Sequence, residues 1–157
     1  LAAVEALVAD ATSLGAELVA GGGRPAGLDK GFFYSPTVLF GATEQMRVMN
    51  EGPFGPIAPI QSFGSLDEAV RLANGTPFGL AGFVFSDDLD IALRLAERLE
   101  VGMVGINNLT IATAEAPFGG VKASGFGREG GAEGIEEFLS TKYVNARMPS
   151  ARGGGVG

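Results

Sequence analysis

The stretch from Leu80 to Asn107 constrains the fold most. "LAGFVFS", 80–86, is an almost wholly apolar strand, the pattern of a strand buried on both faces. Asp87 or Asp88 then caps a helix reaching about Glu100, Gly102 stops it, and "MVGIN", 103–107, forms a second apolar strand. Apolar strands alternating with helices in this way point to a parallel α/β sheet.

The rest of the chain extends the alternation. Val4, Leu7, Val8, Ala11 and Leu14 lie on one stripe of a helix from Leu1 to a stop at Gly15. "ELVAGGG" reads as a short strand entering a turn, and Thr37 to Phe40 as a second extended segment. Residues 43–49 supply one helical turn before the loop "NEGPFGP", and 57–63 a further strand. Ser65 and Glu68 form a capping box that opens a helix ending at Gly75. After a long loop, 108–127, the pattern predicts a helix near 129–140, a final strand over 141–147 and a disordered tail. Ligands in parallel α/β sheets bind outside the carboxyl ends of strands, which directs attention to the loops.

Composition narrows the chemistry. Eleven Lys and Arg against 18 Asp and Glu give a net charge of −7. With no basic stripe, nucleic acid and anionic membranes are poor partners. Cysteine and histidine are both absent, which excludes disulfides, zinc sites of the Cys/His kind, a thiol nucleophile and an imidazole base within this chain. No apolar run is long enough to span a membrane, and the opening "LAAVEALVAD" lacks the basic start of a secretory signal, so a cytoplasmic setting is expected.

Glycine, at 26 residues, is more than twice as common as usual. Gly125-Phe126-Gly127-Arg128-Glu129-Gly130 matches G-x-G-x-x-G, the dinucleotide fingerprint. That motif works only where a strand enters the turn and a helix leaves it, with an acid about twenty residues on to hold a ribose. Neither condition is met here, so Arg128 reads instead as a clasp on a neighbouring acid or backbone carbonyl. Lys122 and Ser124 form the one suggestive nucleophile pair, but Lys-x-Ser is far more often a plain loop. Glu51 and Glu115 lie in the two suspect loops, with nothing to set them up as an acid/base pair. Pro-Phe-Gly occurs at 53–55, 77–79 and 117–119, each a rigid turn that projects an aromatic ring.

Taken together, "MNEGPFGPIAPI", "ANGTPFGLAGFVF", "GMVGIN" and "APFGGVKASGFGREGGAEGIEEF" resemble, in order and spacing, the C-terminal part of an NAD(P)-dependent aldehyde dehydrogenase. The wording of 115–144 is closest to the succinate-semialdehyde dehydrogenase branch. The resemblance implies that residues 1–140 are part of the catalytic domain, 141–149 an oligomerisation strand and 150–157 a tail. It implies a homo-oligomeric enzyme that oxidises an aldehyde or semialdehyde to an acid with NAD or NADP, through a thiohemiacetal on a cysteine. That cysteine, the activating glutamate and the Rossmann domain would lie before Leu1, so the chain would be inactive alone.

Roles implied by the resemblance fall on few positions. In the family's loop E-E-x-F-G-P the phenylalanine lies against the nicotinamide, and Phe54 matches it. The second glutamate, which holds the nicotinamide ribose, is replaced by Gly52, with Glu51 at the first position. Glu51 substitutes only if the loop shifts, and Gly52→Glu is expected to tighten cofactor binding. Phe118 matches the aromatic at the inner end of the aldehyde tunnel. In the loop 108–115, Ala112 and Thr113 stand where the semialdehyde branch has a serine pair for the substrate's distal carboxylate, so only Thr113 keeps a hydroxyl. Arg128 matches an arginine that links this region to the subunit interface. Two readings from other classes compete: a non-catalytic oligomerisation or interaction module, and a free-standing nucleotide-binding domain.

Overall fold

A computed structural model describes residues 1–147. The first region is built on α1 (Ala2–Ser13), whose Val4, Leu7, Val8 and Ala11 are buried along one face as the 3.6-residue period requires. The helix ends where Gly15 takes φ +99° and the Ala16 amide donates back to the Ala11 carbonyl at 2.9 Å. Three strands follow: β1 (Glu17–Ala20), β2 (Thr37–Phe40) and β3 (Ile57–Ile60), in the order β1-β2-β3. α2 (Arg47–Asn50) lies between β2 and β3 in the chain. It has no side-chain cap of its own, and Asp10 of α1 accepts from the Arg47 amide at 2.9 Å in its place.

Leu7, Val8, Ala11, Leu39, Met46 and Val48 form the core between α1, β2 and α2. Alternation along β2 turns Thr37 and Leu39 inward. The buried Thr37 hydroxyl is satisfied: it accepts from the Gly22 amide at 2.9 Å and donates to the Ser35 carbonyl at 2.8 Å.

The second region comprises α3 (Leu66–Asn74), β4 (Phe78–Gly79), β5 (Ala81–Val84), α4 (Leu89–Arg98), β6 (Met103–Ile106), β7 (Val121–Lys122) and α5 (Glu133–Glu136). β5 and β6 pair in parallel, Ala81 opposite Met103 through Val84 opposite Ile106, with α4 as their crossover. Both long helices open on side-chain caps. Asp88 Oδ1 accepts from the Ile91 amide at 3.0 Å, and Ser65 Oγ from the Glu68 amide at 3.2 Å. The return arm of the expected capping box is displaced by one residue, since Glu68 accepts from the Gly64 amide at 2.7 Å. The Asn74 side chain joins the two helix ends, donating to the Arg98 carbonyl and accepting from the Glu100 amide, both at 2.9 Å.

Four expectations are corrected. The pairing is not uniformly parallel: β2–β3 and β5–β6 are parallel, whereas β1–β2 and β4–β7 are antiparallel. The connection 21–36 carries no helix, and without a crossover the chain returns antiparallel. The strand in 80–86 is not buried on both faces, since Phe83 is 43% and Phe85 62% exposed. The helix expected near 129–140 shrinks to the single turn α5, where Gly130 and Gly131 have positive φ and Gly134 adds a third helix-weakening residue. Residues 141–147 carry no regular secondary structure and stay exposed, because no strand among the described residues pairs with them. Residues 148–149 of the expected strand, and the expected tail at 150–157, lie outside the described residues. No helix among the described residues is long and apolar enough to cross a membrane.

Candidate functional site

The loop 50–56 leaves α2 with its first carboxylate already engaged. Arg47 donates to Glu51 through Nε at 2.6 Å and Nη2 at 3.0 Å, a two-pronged pair one helical turn long. That hydrogen bonding, with the guanidinium charge, holds the Glu51 carboxyl below its ordinary range and raises Arg47 in turn. Gly52 follows at φ +63°, in the left-handed region that favours glycine. A Cβ placed there would lie 3.3 Å from Cε2 of Phe78. Phe54 projects fully into solvent at 102% relative exposure. Gly55 fixes the far end of the loop against α1, where a Cβ would collide with Val4.

The second loop leaves the carboxyl end of β6. Asn107, at φ +50°, extends the β5–β6 pairing with its side chain: Oδ1 accepts from the Ser86 amide at 2.9 Å and Nδ2 donates to the Ser86 carbonyl at 2.8 Å. Asn108 Oδ1 then accepts from the Thr110 amide at 2.9 Å, a local turn that starts the loop. Thr113 is exposed and lines a cavity of about 390 Å³ floored by Gly102 to Ile106. Phe118 is half-buried and held by a backbone bridge to Glu129, with reciprocal bonds of 2.7 and 2.8 Å. It lines a different cavity, of about 470 Å³, with Phe126, Arg128 and Phe138. Thr113 and Phe118 thus flank one loop without sharing a cavity.

The glycine run after Phe118 folds as a clasp. Gly125, Gly127 and Gly130 have φ of +109°, +79° and +69°. Arg128 Nη1 donates to the carbonyls of Gly120 at 2.9 Å and Gly127 at 2.7 Å, using the backbone partners anticipated from the sequence. β7 does precede the glycines, but it is two residues long and antiparallel to β4, and α5 starts only at Glu133. The strand–turn–helix setting of a dinucleotide fingerprint is absent among the described residues. Lys122 and Ser124 are committed elsewhere. The Lys122 ammonium donates to the Asn74 carbonyl at 2.9 Å and pairs with Glu100 at 2.6 Å, while Ser124 Oγ accepts from the Gly79 amide at 3.0 Å.

Glu115 is exposed. No cluster of three acidic, His or Cys side chains suited to a metal occurs among the described residues. Sequence reasoning missed two contacts, the Asn107 bridge and the Phe78 ring on Gly52. Asparagine after an apolar strand was a usable signal for the first, since it tolerates the left-handed region better than most residues. The repeated Pro-Phe-Gly marked a rigid aromatic turn at 77–79 but not what its ring would face.

Comparison with known proteins supplies the family and the fold. The 3-sulfolactaldehyde dehydrogenase of Pseudomonas putida is 53% identical over 141 residues, which is 90% of this chain and 29% of that protein. The NADP(+) succinate-semialdehyde dehydrogenase of Deinococcus radiodurans is 51% identical over 143 residues, 91% of this chain and 30% of that protein. Betaine aldehyde dehydrogenase from Staphylococcus aureus, solved in complex with NAD+, superposes with a TM-score of 0.85 at 40% identity, covering 92% of this chain and 30% of that one. The chain therefore spans about 30% of the length of the curated relatives it matches. The profile of the aldehyde dehydrogenase family matches residues 1–144, and the chain belongs to that family.

Proposed function

We propose that this chain is the C-terminal part of the catalytic domain of an NAD(P)+-dependent aldehyde dehydrogenase, and that the complete enzyme oxidises an aldehyde bearing a distal anionic group to the acid. The observation that carries this reading is the family match over residues 1–144, with relatives named for aldehydes that bear a carboxylate or a sulfonate. The chain holds no cysteine, so the thiolate that attacks the aldehyde belongs to another part of the enzyme.

The residues present fit the cofactor in part. The exposed Phe54 ring suits the face of a nicotinamide, whose chemistry when bound is to accept the hydride. Gly52 offers no carboxylate to a ribose, and Glu51 is turned to Arg47, so the ribose anchor of related loops does not fit this one. Thr113 supplies a hydroxyl for the distal anion and Phe118 an apolar wall for the aldehyde's stem, each from its own cavity at either end of the loop between them. A cytoplasmic homo-oligomer belongs to the same proposal. The exposed apolar side chains Ile135, Phe138, Leu139, Tyr143 and Val144 support the assembly. They are also what favours the competing reading, a non-catalytic oligomerisation module.

The test is to express the complete reading frame and to follow reduced nicotinamide with succinate semialdehyde, a sulfonated aldehyde and an uncharged aldehyde of similar length. Turnover of the anionic aldehydes by the complete protein, and none by the 157-residue chain, is expected. An assembled complete protein that turns over no aldehyde would favour the oligomerisation module instead.

A further inference from the structure

Two of the three Pro-Phe-Gly turns have places in the proposed reaction, Phe54 at the cofactor and Phe118 at the substrate. The second, Pro77 to Gly79, has none, yet it touches the loops of both. Its ring reaches toward the first: a Cβ on Gly52 would lie 3.3 Å from Cε2 and 3.5 Å from Cζ of Phe78. Together with Asn50, Gly52 and Pro53, that ring walls a cavity of about 320 Å³ under the loop.

Its backbone is fastened to the third. β4 pairs with β7, Phe78 opposite Lys122 and Gly79 opposite Val121, and β7 begins three residues after Phe118. The Ala123 amide donates to the Pro77 carbonyl at 3.0 Å, the Gly102 amide to the Gly79 carbonyl at 3.0 Å, and the Gly79 amide to Ser124 Oγ at 3.0 Å. Gly79 has no slack, since a Cβ there would sit 2.6 Å from the Glu100 carbonyl oxygen. The backbone of the turn is therefore fixed, and the half-exposed ring is the part that reports to the cofactor loop. The Phe78 ring stands outside the buried core, facing the space that a side chain at position 52 would enter.

We propose that Pro77–Gly79 is a strut setting the cofactor loop 50–56 against the substrate loop, and that Phe78 is a positioning residue for cofactor binding. The inference rests on the reading of Phe54 as a nicotinamide contact. It also gives Gly52 a purpose. The glycine that leaves the loop without a ribose carboxylate also leaves room beside the ring, and in this proposal the ring replaces a ligand-borne anchor with one built into the fold.

The experiment uses the full-length enzyme and NAD(P)+ titration. Phe78→Ala is expected to raise the cofactor dissociation constant about tenfold, and Phe78→Leu, which keeps the apolar volume, about threefold. Phe78→Tyr, which keeps the ring, should restore wild-type affinity, and kcat at saturating cofactor should stay within about twofold throughout. Equal affinity in wild type and Phe78→Leu, with Phe54→Ala clearly weakened, would overturn the strut alone. Unchanged affinity in Phe54→Ala would overturn the cofactor reading of the loop, and the strut with it. Should Phe78→Ala fail to fold, the Leu and Tyr variants decide. A matched fall of kcat and melting temperature in Leu, unrescued by Tyr, would mark a merely structural ring.

Discussion

β2 and β5 are both four-residue apolar strands with a parallel neighbour, yet they end in different surroundings. In β2, Leu39 is fully buried under α1 and α2, at 0% exposure. In β5, Phe83 is 43% exposed and borders an apolar groove of about 660 Å³. That groove is lined by Pro59 of β3 and the adjoining Gln61, by Val70 and Ala73 of α3, and by β5 itself. β3 and β5 each have one strand partner among the described residues, which leaves two strand edges on the groove. An apolar pattern thus names the face to be buried without naming what buries it. For the first region the cover is in the chain. For the second, no element among the described residues supplies it.

The sharpest way to break this contrast is to empty one side chain in each region. Leu39→Ala should cost about 2–5 kcal/mol of unfolding free energy, because it leaves a cavity in a closed core. Phe83→Ala in the same chain should cost under about 1 kcal/mol, since much of that ring is already in water. Equal losses in denaturant titration would mean that the two regions are equally closed. The open face should also drive self-association. Light scattering of the isolated chain should show mass rising with concentration, and Phe83→Ser with Phe85→Ser should suppress it. A clean monomer at high concentration would remove the distinction between the regions.

How far the fold was legible follows the same division. α1, β2, α3 and the Asp88 cap are all in the sequence because each is specified locally, by period, alternation or a capping side chain. The 129–140 helix was misread because Gly130, Gly131 and Gly134 break it, and the 141–147 strand because no strand among the described residues pairs with it. The antiparallel β1 was missed because a connection without a helix leaves strand direction open. At the site, the Arg128 clasp was legible from a cation among glycines. The Gly52–Phe78 contact was not, because two turns 26 positions apart carry no mark of which ring meets which backbone.

The cofactor loop is one place where the two regions meet, as the Arg71–Glu44 ion pair at 2.9 Å is another. Gly52 faces Phe78 of the second region, and its φ of +63° makes any Cβ strained. Gly52→Glu therefore acts twice. It should lower stability by about 1–2 kcal/mol through the left-handed backbone, with the ring contact adding to the strain. In the full-length enzyme it should also tighten NAD(P)+ binding by returning a ribose carboxylate. A melting curve and a cofactor titration on one preparation separate the two effects. Lower stability without tighter binding would show that the loop's orientation is set by the second region rather than by the ribose.

From the other side, Glu51 ties the same loop to α2 of the first region, and its effect should be the smallest. Hydrogen bonding to Arg47 depresses the folded carboxyl below its ordinary value of 4.5. A group depressed in this way contributes stability above its unfolded value, and that contribution is lost as pH falls through the folded one. Acidification below 4.5 should therefore loosen residues 50–56 before the core yields. Both side chains of the pair are about half exposed, so added salt should weaken the tether at any pH where it exists. Amide exchange in the loop is the measurement, with Glu51→Gln as the reference that cannot titrate. If the wild-type loop keeps an acid-dependent step that Glu51→Gln lacks, the first region holds one end of the loop through this pair. If the two profiles coincide, the first region holds the loop through its other bonds, from Asn50 Nδ2 to the Glu44 carbonyl and from the Thr37 amide to the Pro56 carbonyl, both at 2.8 Å.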